Sequence, residues 1–61
     1  MGVSPWQYVI EQRVERAKEL LKNSELAIFE VALACGFSNQ SHLHKHFRKA
    51  TGIAPNRYRR S

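Results

Sequence analysis

There is no aspartate in these 61 residues, only one cysteine, two prolines and three glycines, and no long apolar run. Each scarcity excludes something. A single thiol, Cys35, cannot form a disulfide within the chain, and its place on the inner face of a short helix reads as a buried, reduced sulfur rather than a reactive or metal-binding one. Nothing approaches the roughly 20 apolar residues that a spanning helix needs, and Trp6 stands where a myristoylation signal requires Ser or Thr. No membrane partner or secretion signal is expected, and the expected location is the cytoplasm. Without aspartate or a glycine-rich phosphate loop, and with its glutamates on helix exteriors at spacings suited to pairing with Arg16, Lys18 and Lys22, the chain holds no catalytic constellation. It reads as a non-enzyme with no cofactor and no small-molecule ligand of its own.

Positive charge, by contrast, is abundant and one-sided. The formal net charge is +5, all five acidic residues precede Val31, and six of the ten basic residues follow it. Such a field favours a polyanion as partner. The length allows one small domain, whose core supplies no more than about 3 to 5 kcal/mol.

Apolar periodicity predicts an all-α fold: helices at about 5–22, 27–35, 39–51 and 55–60. Ser4 is the expected N-cap of the first, with Pro5 at its first position, where a missing N–H costs nothing. Its stripe of Trp6, Val9, Ile10, Val14, Ala17, Leu20 and Leu21 is broad for so small a domain, and Trp6 with Ile10 is expected to form an exposed flank. The second helix offers Ile28, Val31, Ala32 and Cys35 to the core. The third, with Ser38 as expected cap, has an apolar edge of Leu43, Phe47 and Ala50 opposite a hydrogen-bonding, basic edge of Ser41, His44, Lys45 and Arg48. Between the second and third helices, Ala32 and Gly36 stand four apart; the small residue permits a close crossing, and glycine ends a helix in the left-handed conformation that other residues resist. Two short helices, a tight turn and a polar outer edge make a helix-turn-helix, a homeodomain-like bundle with a long helix followed by three short ones. Tyr58 is the expected anchor of the last.

The alternating His42, His44 and His46 invite a metal reading, but neighbours two apart on a helix diverge. Only His42 and His46 share a face, and two ligands without a third make no metal site. An internal echo is more informative. Gly2-Val3-Ser4-Pro5-Trp6-Gln7-Tyr8 repeats the pattern of Gly52-Ile53-Ala54-Pro55-Asn56-Arg57-Tyr58, in which the later copy closes a recognition helix. The earlier copy suggests the tail of a preceding unit of the same kind.

With Gly2, Ser4-Pro5, Tyr8, Arg13, Ala17, Leu20-Leu21, Glu30-Val31-Ala32, Gly36-Phe37-Ser38, Phe47-Arg48-Lys49, Gly52, Pro55 and Tyr58-Arg59 in place, the chain resembles the DNA-binding region of the AraC/XylS family of bacterial transcription regulators over essentially all its residues. That family domain has two helix-turn-helix units joined by a long helix, and the sequence resembles the linker helix with the C-terminal unit. The resemblance implies double-stranded DNA as partner, read through one major-groove segment and bound weakly by this unit alone. By position it implies base contacts from Gln40, Ser41, His44 and Lys45, residue types that donate and accept at base edges. It implies phosphate contacts from Ser38 and Asn39 at the helix N-terminus, from Arg48 and Lys49, and from Arg57 and Arg59, although Arg59 has a structural alternative beside Tyr58.

Three positions depart from the family pattern. Ala27 replaces a common Ser and leaves half of a capping box with Glu30, Phe29 and Leu33 form an outer apolar pair, and His44 replaces a small hydroxyl residue. The apolar pair, or the Trp6/Ile10 flank, supports an alternative function: a protein-interaction or self-associating module that meets RNA polymerase or another domain.

Overall fold

The computed structural model describes residues 4–61, which form four helices: α1 (Pro5–Asn23), α2 (Ile28–Ala34), α3 (Gln40–Thr51) and α4 (Pro55–Arg60). Gly2 and Val3 of the echo lie outside the described residues. The Ser4 hydroxyl accepts from the Gln7 N–H at 3.1 Å, and Pro5 occupies the first helical turn, as the sequence predicts.

Of the broad apolar stripe on α1, the core takes Ile10, Val14, Ala17 and Leu21, whose spacings of four, three and four keep them on one face. Leu20 is half-buried. Trp6 is 57% exposed and Val9 38% exposed, so the expected Trp6/Ile10 flank divides: Trp6 is outside and Ile10 belongs to the core. The Arg13 guanidinium lies over the indole, 5.7 Å from its centroid. Two of the expected ion pairs form on the wet face, Lys18 with Glu15 at 2.9 Å and Arg16 with Glu19 at 3.9 Å. Lys22 goes elsewhere, its ammonium 4.9 Å from the centroid of the Tyr58 ring.

Ala27 gives α2 no side-chain cap, but the other half of the box survives, with Glu30 Oε1 accepting from the Ala27 N–H at 2.9 Å. The helix ends in a Schellman turn: Phe37 N–H donates to Ala32 O at 2.9 Å and Gly36 N–H to Leu33 O at 3.2 Å, with Gly36 at φ 93°. Phe37 then folds into the core beside Ala32, both almost fully buried. This is the left-handed glycine turn that Gly36 predicts, with the small Ala32 buried beside it.

Leu43 and Phe47 are fully buried, and around them gather Val14, Leu21, Val31 and Ala32. The third apolar residue expected on this edge, Ala50, is exposed and lines an open cleft with α1 instead of joining the core. Gly52 closes α3 at φ 88°, its N–H bonded to Arg48 O at 2.7 Å. Pro55 restarts the chain as α4, and Tyr58 sets its ring edge-on to Phe47 at 5.3 Å, the expected anchor. Arg59 then ties α4 to the end of α1, donating from Nε to Leu21 O at 3.1 Å and from a terminal nitrogen to Ser24 O at 3.4 Å. These bonds satisfy carbonyls that a helix C-terminus otherwise leaves to water.

Candidate nucleic-acid interface

At about 100° per residue, Gln40, Ser41, His44, Lys45 and Arg48 fall within an arc of about 140° on α3; Ser41, Lys45 and Arg48 face away from the buried Leu43 and Phe47, while Gln40 and His44 border them. All five are exposed, and no hydrogen bond or ion pair among the described residues engages their side chains. The structure therefore brings the four expected base-facing residues and Arg48 together as one continuous polar surface. Its composition is two cations, an amide, a hydroxyl and an imidazole, which together supply donors and acceptors with no carboxylate to repel a phosphate.

The start of α3 differs from expectation by one residue. Ser38 is not the cap; Asn39 is, with an extended backbone (φ −163°) and Oδ1 accepting from the His42 N–H at 2.8 Å. The Ser38 N–H is bonded to His42 Nδ1 at 3.3 Å, which leaves its hydroxyl exposed beside the helix N-terminus. The first-turn amides of Gln40 and Ser41 have no intrahelical partner, and the helix dipole adds partial positive charge at the same end.

The remaining candidates separate. Lys49 sits on the flank of α3, in a cleft of about 500 Å³ that it shares with His46, Trp6, Ile10 and Glu11. Arg57 is exposed on α4. Arg59, half-buried, is held by the carbonyls of Leu21 and Ser24, the structural alternative that its place beside Tyr58 allowed. Burial raises the Cys35 thiol above its ordinary value, with a smaller opposing effect from Arg16, so the sulfur stays protonated and unreactive at neutral pH. His42 and His46, which share a face, pack on Phe37 just after the turn, and the signal for this in the sequence is their spacing of four beside the Gly36-Phe37 turn.

Two short helices joined by a Schellman turn, the second with a free polar face, define a helix-turn-helix unit. A family model described as a helix-turn-helix domain matches residues 1–61, and the chain belongs to that family, the AraC-type helix-turn-helix domains. Among curated relatives it is 41% identical over 58 residues to the probable transcriptional regulator LumQ of Photobacterium leiognathi, covering 95% of this chain and 23% of that protein. It is 40% identical over 58 residues to the HTH-type transcriptional regulator ExsA of Pseudomonas aeruginosa, covering 95% of this chain and 21% of that one. The chain thus spans less than a quarter of the length of these relatives. A similar solved structure is the DNA-binding domain of AdpA, a global transcriptional factor, in complex with a target DNA: TM-score 0.94, 42% identity, covering 98% of this chain and 54% of that one.

Proposed function

We propose that this unit is a DNA-binding half-domain of a bacterial transcription regulator and that α3 enters the major groove of duplex DNA. The carrying observation is the exposed and unengaged face of Gln40, Ser41, His44, Lys45 and Arg48 directly after the helix-turn-helix turn. The likeness to a domain solved on its target DNA supports it. In this reading Gln40 pairs with adenine, Lys45 donates to guanine, and Ser41 and His44 contact base edges. Arg48 and the Ser38–Asn39 helix start hold phosphates; Lys49 and Arg57 reach them from the flanks. Arg59 is assigned to the fold.

As one reading unit it binds weakly by itself. Arg48, Lys49 and Arg57 at phosphates, with Lys45 beside them in the groove, give a slope of log K against log salt of roughly −3 to −4. Titrations of a short duplex across a salt series test this, and a flat response refutes it. Addition of a second linked unit raises affinity through effective concentration.

The half-exposed pair Phe29 and Leu33 on α2, 51% and 50% accessible, lies away from that face and is the surface available to a protein partner such as RNA polymerase. No catalytic role is assigned, and the place of action is the cytoplasm.

A further inference from the structure

α3 carries His42 and His46, one turn apart and both half-buried, with His46 lining the cleft against α1. Their ring centroids are 4.7 Å apart, and both rings rest on Phe37, His42 edge-on at 5.4 Å and His46 stacked at 6.1 Å. Phe37 follows the Gly36 turn directly, so the imidazoles sit against the joint between α2 and α3. His42 also closes that joint through hydrogen bonds. Its Nδ1 accepts from the Ser38 N–H, while its backbone N–H donates to the Asn39 cap. A ring nitrogen that accepts a hydrogen bond carries no proton, so this arrangement exists only with His42 uncharged and its hydrogen on Nε2.

The surroundings disfavour added positive charge. Lys45 and Lys49 flank the pair on α3, and Arg13 of α1 lies over Gly36, its Nε 3.0 Å from where a Cβ there would stand. Glu11 of α1 is the carboxylate that lines the same cleft as His46 and Lys49. Glu30, the one ionisable side chain of α2, is bound at the far end of that helix to the Ala27 N–H. α4 docks on Phe47, beyond the pair. Burial, then His42, Lys45 and Lys49 in that order, hold His46 below its ordinary 6.5.

We propose that the His42/His46 pair positions the start of the recognition helix only while both rings are uncharged, so that sequence discrimination by Gln40 and Ser41 is reversibly lost in mildly acidic conditions. The proposal rests on α3 being the reading helix. A proton on Nδ1 of His42 displaces the Ser38 N–H and sets a cation against the His46 ring. The Ser38–Asn39 segment then loses a restraint immediately before the first two helical residues. Phosphate contacts do not weaken, since the added charge is attractive to DNA. Discrimination therefore falls, and total affinity does not.

The test has two arms on the same 61-residue chain. Without DNA, NMR titration from pH 8 to 5 follows the imidazole nitrogens and the Ser38 amide. The expected result is an unprotonated Nδ1 on His42 at pH 8 and a Ser38 amide resonance that moves, and exchanges faster, with the same midpoint as that ring. An Nδ1–H tautomer at pH 8, or a Ser38 amide indifferent to His42 titration, overturns the proposal whether or not DNA binds. With DNA, the ratio of affinities for a preferred and a scrambled duplex is measured at pH 7.5 and 5.5. It should fall roughly three- to tenfold, the worth of one net hydrogen bond. His42→Gln, whose side-chain oxygen accepts from Ser38 at either pH, should hold the ratio level, and His42→Ala should keep it low at both. All duplex measurements are made in a His44→Asn background, so that no base-facing imidazole contributes to the pH dependence. An undiminished pH dependence in His42→Gln overturns the proposal. Absence of binding at every pH refutes the DNA-reading function, and leaves the NMR arm to decide the role of the pair in the turn.

Discussion

Gly36 and Gly52 both hold left-handed φ values, 93° and 88°, yet their surroundings differ, and substitution of each by alanine separates backbone strain from crowding. An added Cβ at Gly52 meets nothing within 4 Å, so Gly52→Ala carries only the left-handed penalty, about 1 to 2 kcal/mol. At Gly36 the same Cβ comes within 3.0 Å of Arg13 Nε and 3.3 Å of its Cζ. Those atoms end a flexible side chain, so Gly36→Ala should cost the same strain plus about 0.5 to 1 kcal/mol, the worth of the Arg13–Trp6 contact that must be given up. In a chain of this size each kcal/mol lowers Tm by roughly 4 to 8 °C. Thermal unfolding followed by circular dichroism should rank wild type above Gly52→Ala and that above Gly36→Ala. In an Arg13→Ala background the two glycine variants should become equally costly. If Gly36→Ala remains more than about 2 kcal/mol worse than Gly52→Ala in that background, the turn itself is crowded and the reasoning fails.

Arg48→Ala should weaken binding to all duplexes alike and make the salt slope shallower by about one, whereas Gln40→Ala and Lys45→Ala should relax preference at particular base pairs by roughly 1 to 3 kcal/mol. Selection from a randomised site reads both effects, and the opposite pattern displaces α3 from the groove. Trp6→Glu should leave the fold intact, while Ile10→Arg, which drives charge into the core, should unfold the domain; equal melting temperatures for the two contradict the division of the α1 stripe. Arg59→Ala should lower stability by about 1 to 3 kcal/mol in urea unfolding, since two carbonyls at the end of α1 lose their donor, and should leave the salt slope of DNA binding unchanged. A shallower slope instead places Arg59 on phosphate. Because His46 takes a proton less readily folded than unfolded, its contribution to stability is present above pH 6.5 and is lost as pH falls below it. His46→Gln should flatten that part of the stability profile.

Local rules carried far in this chain. Ser4 with Pro5, Gly36 and Gly52 mark helix ends through backbone chemistry that depends only on near neighbours, and the structure uses each as expected. The exposed polar arc of α3 was legible because helical spacing separates Ser41, Lys45 and Arg48 from Leu43 and Phe47, and its place in the first turn leaves Gln40 outside the core. Ser38 and Asn39 show where such rules stop: both side chains cap well, and the choice depends on which residue is first to turn helical. The width of the α1 stripe was legible, but an apolar residue does not reveal what covers it, so Trp6 and Ile10 looked alike and are not. Arg59 is a matter of distance along the chain. Its partners, Leu21 and Ser24, lie 38 and 35 residues away, beyond any local pattern.

The side chains of Gln40, Ser41, His44 and Lys45 are exposed and make no hydrogen bond or ion pair among the described residues, while the helix that presents them is fixed by Leu43, Phe47, Asn39 and Gly52. Changes on such a surface typically alter stability by no more than about 0.5 kcal/mol. The four positions can thus be exchanged one at a time without a passage through unfolded intermediates. If α3 reads DNA as proposed, a lineage built on this scaffold is free to move from one target sequence to another by single substitutions, at little cost to the fold.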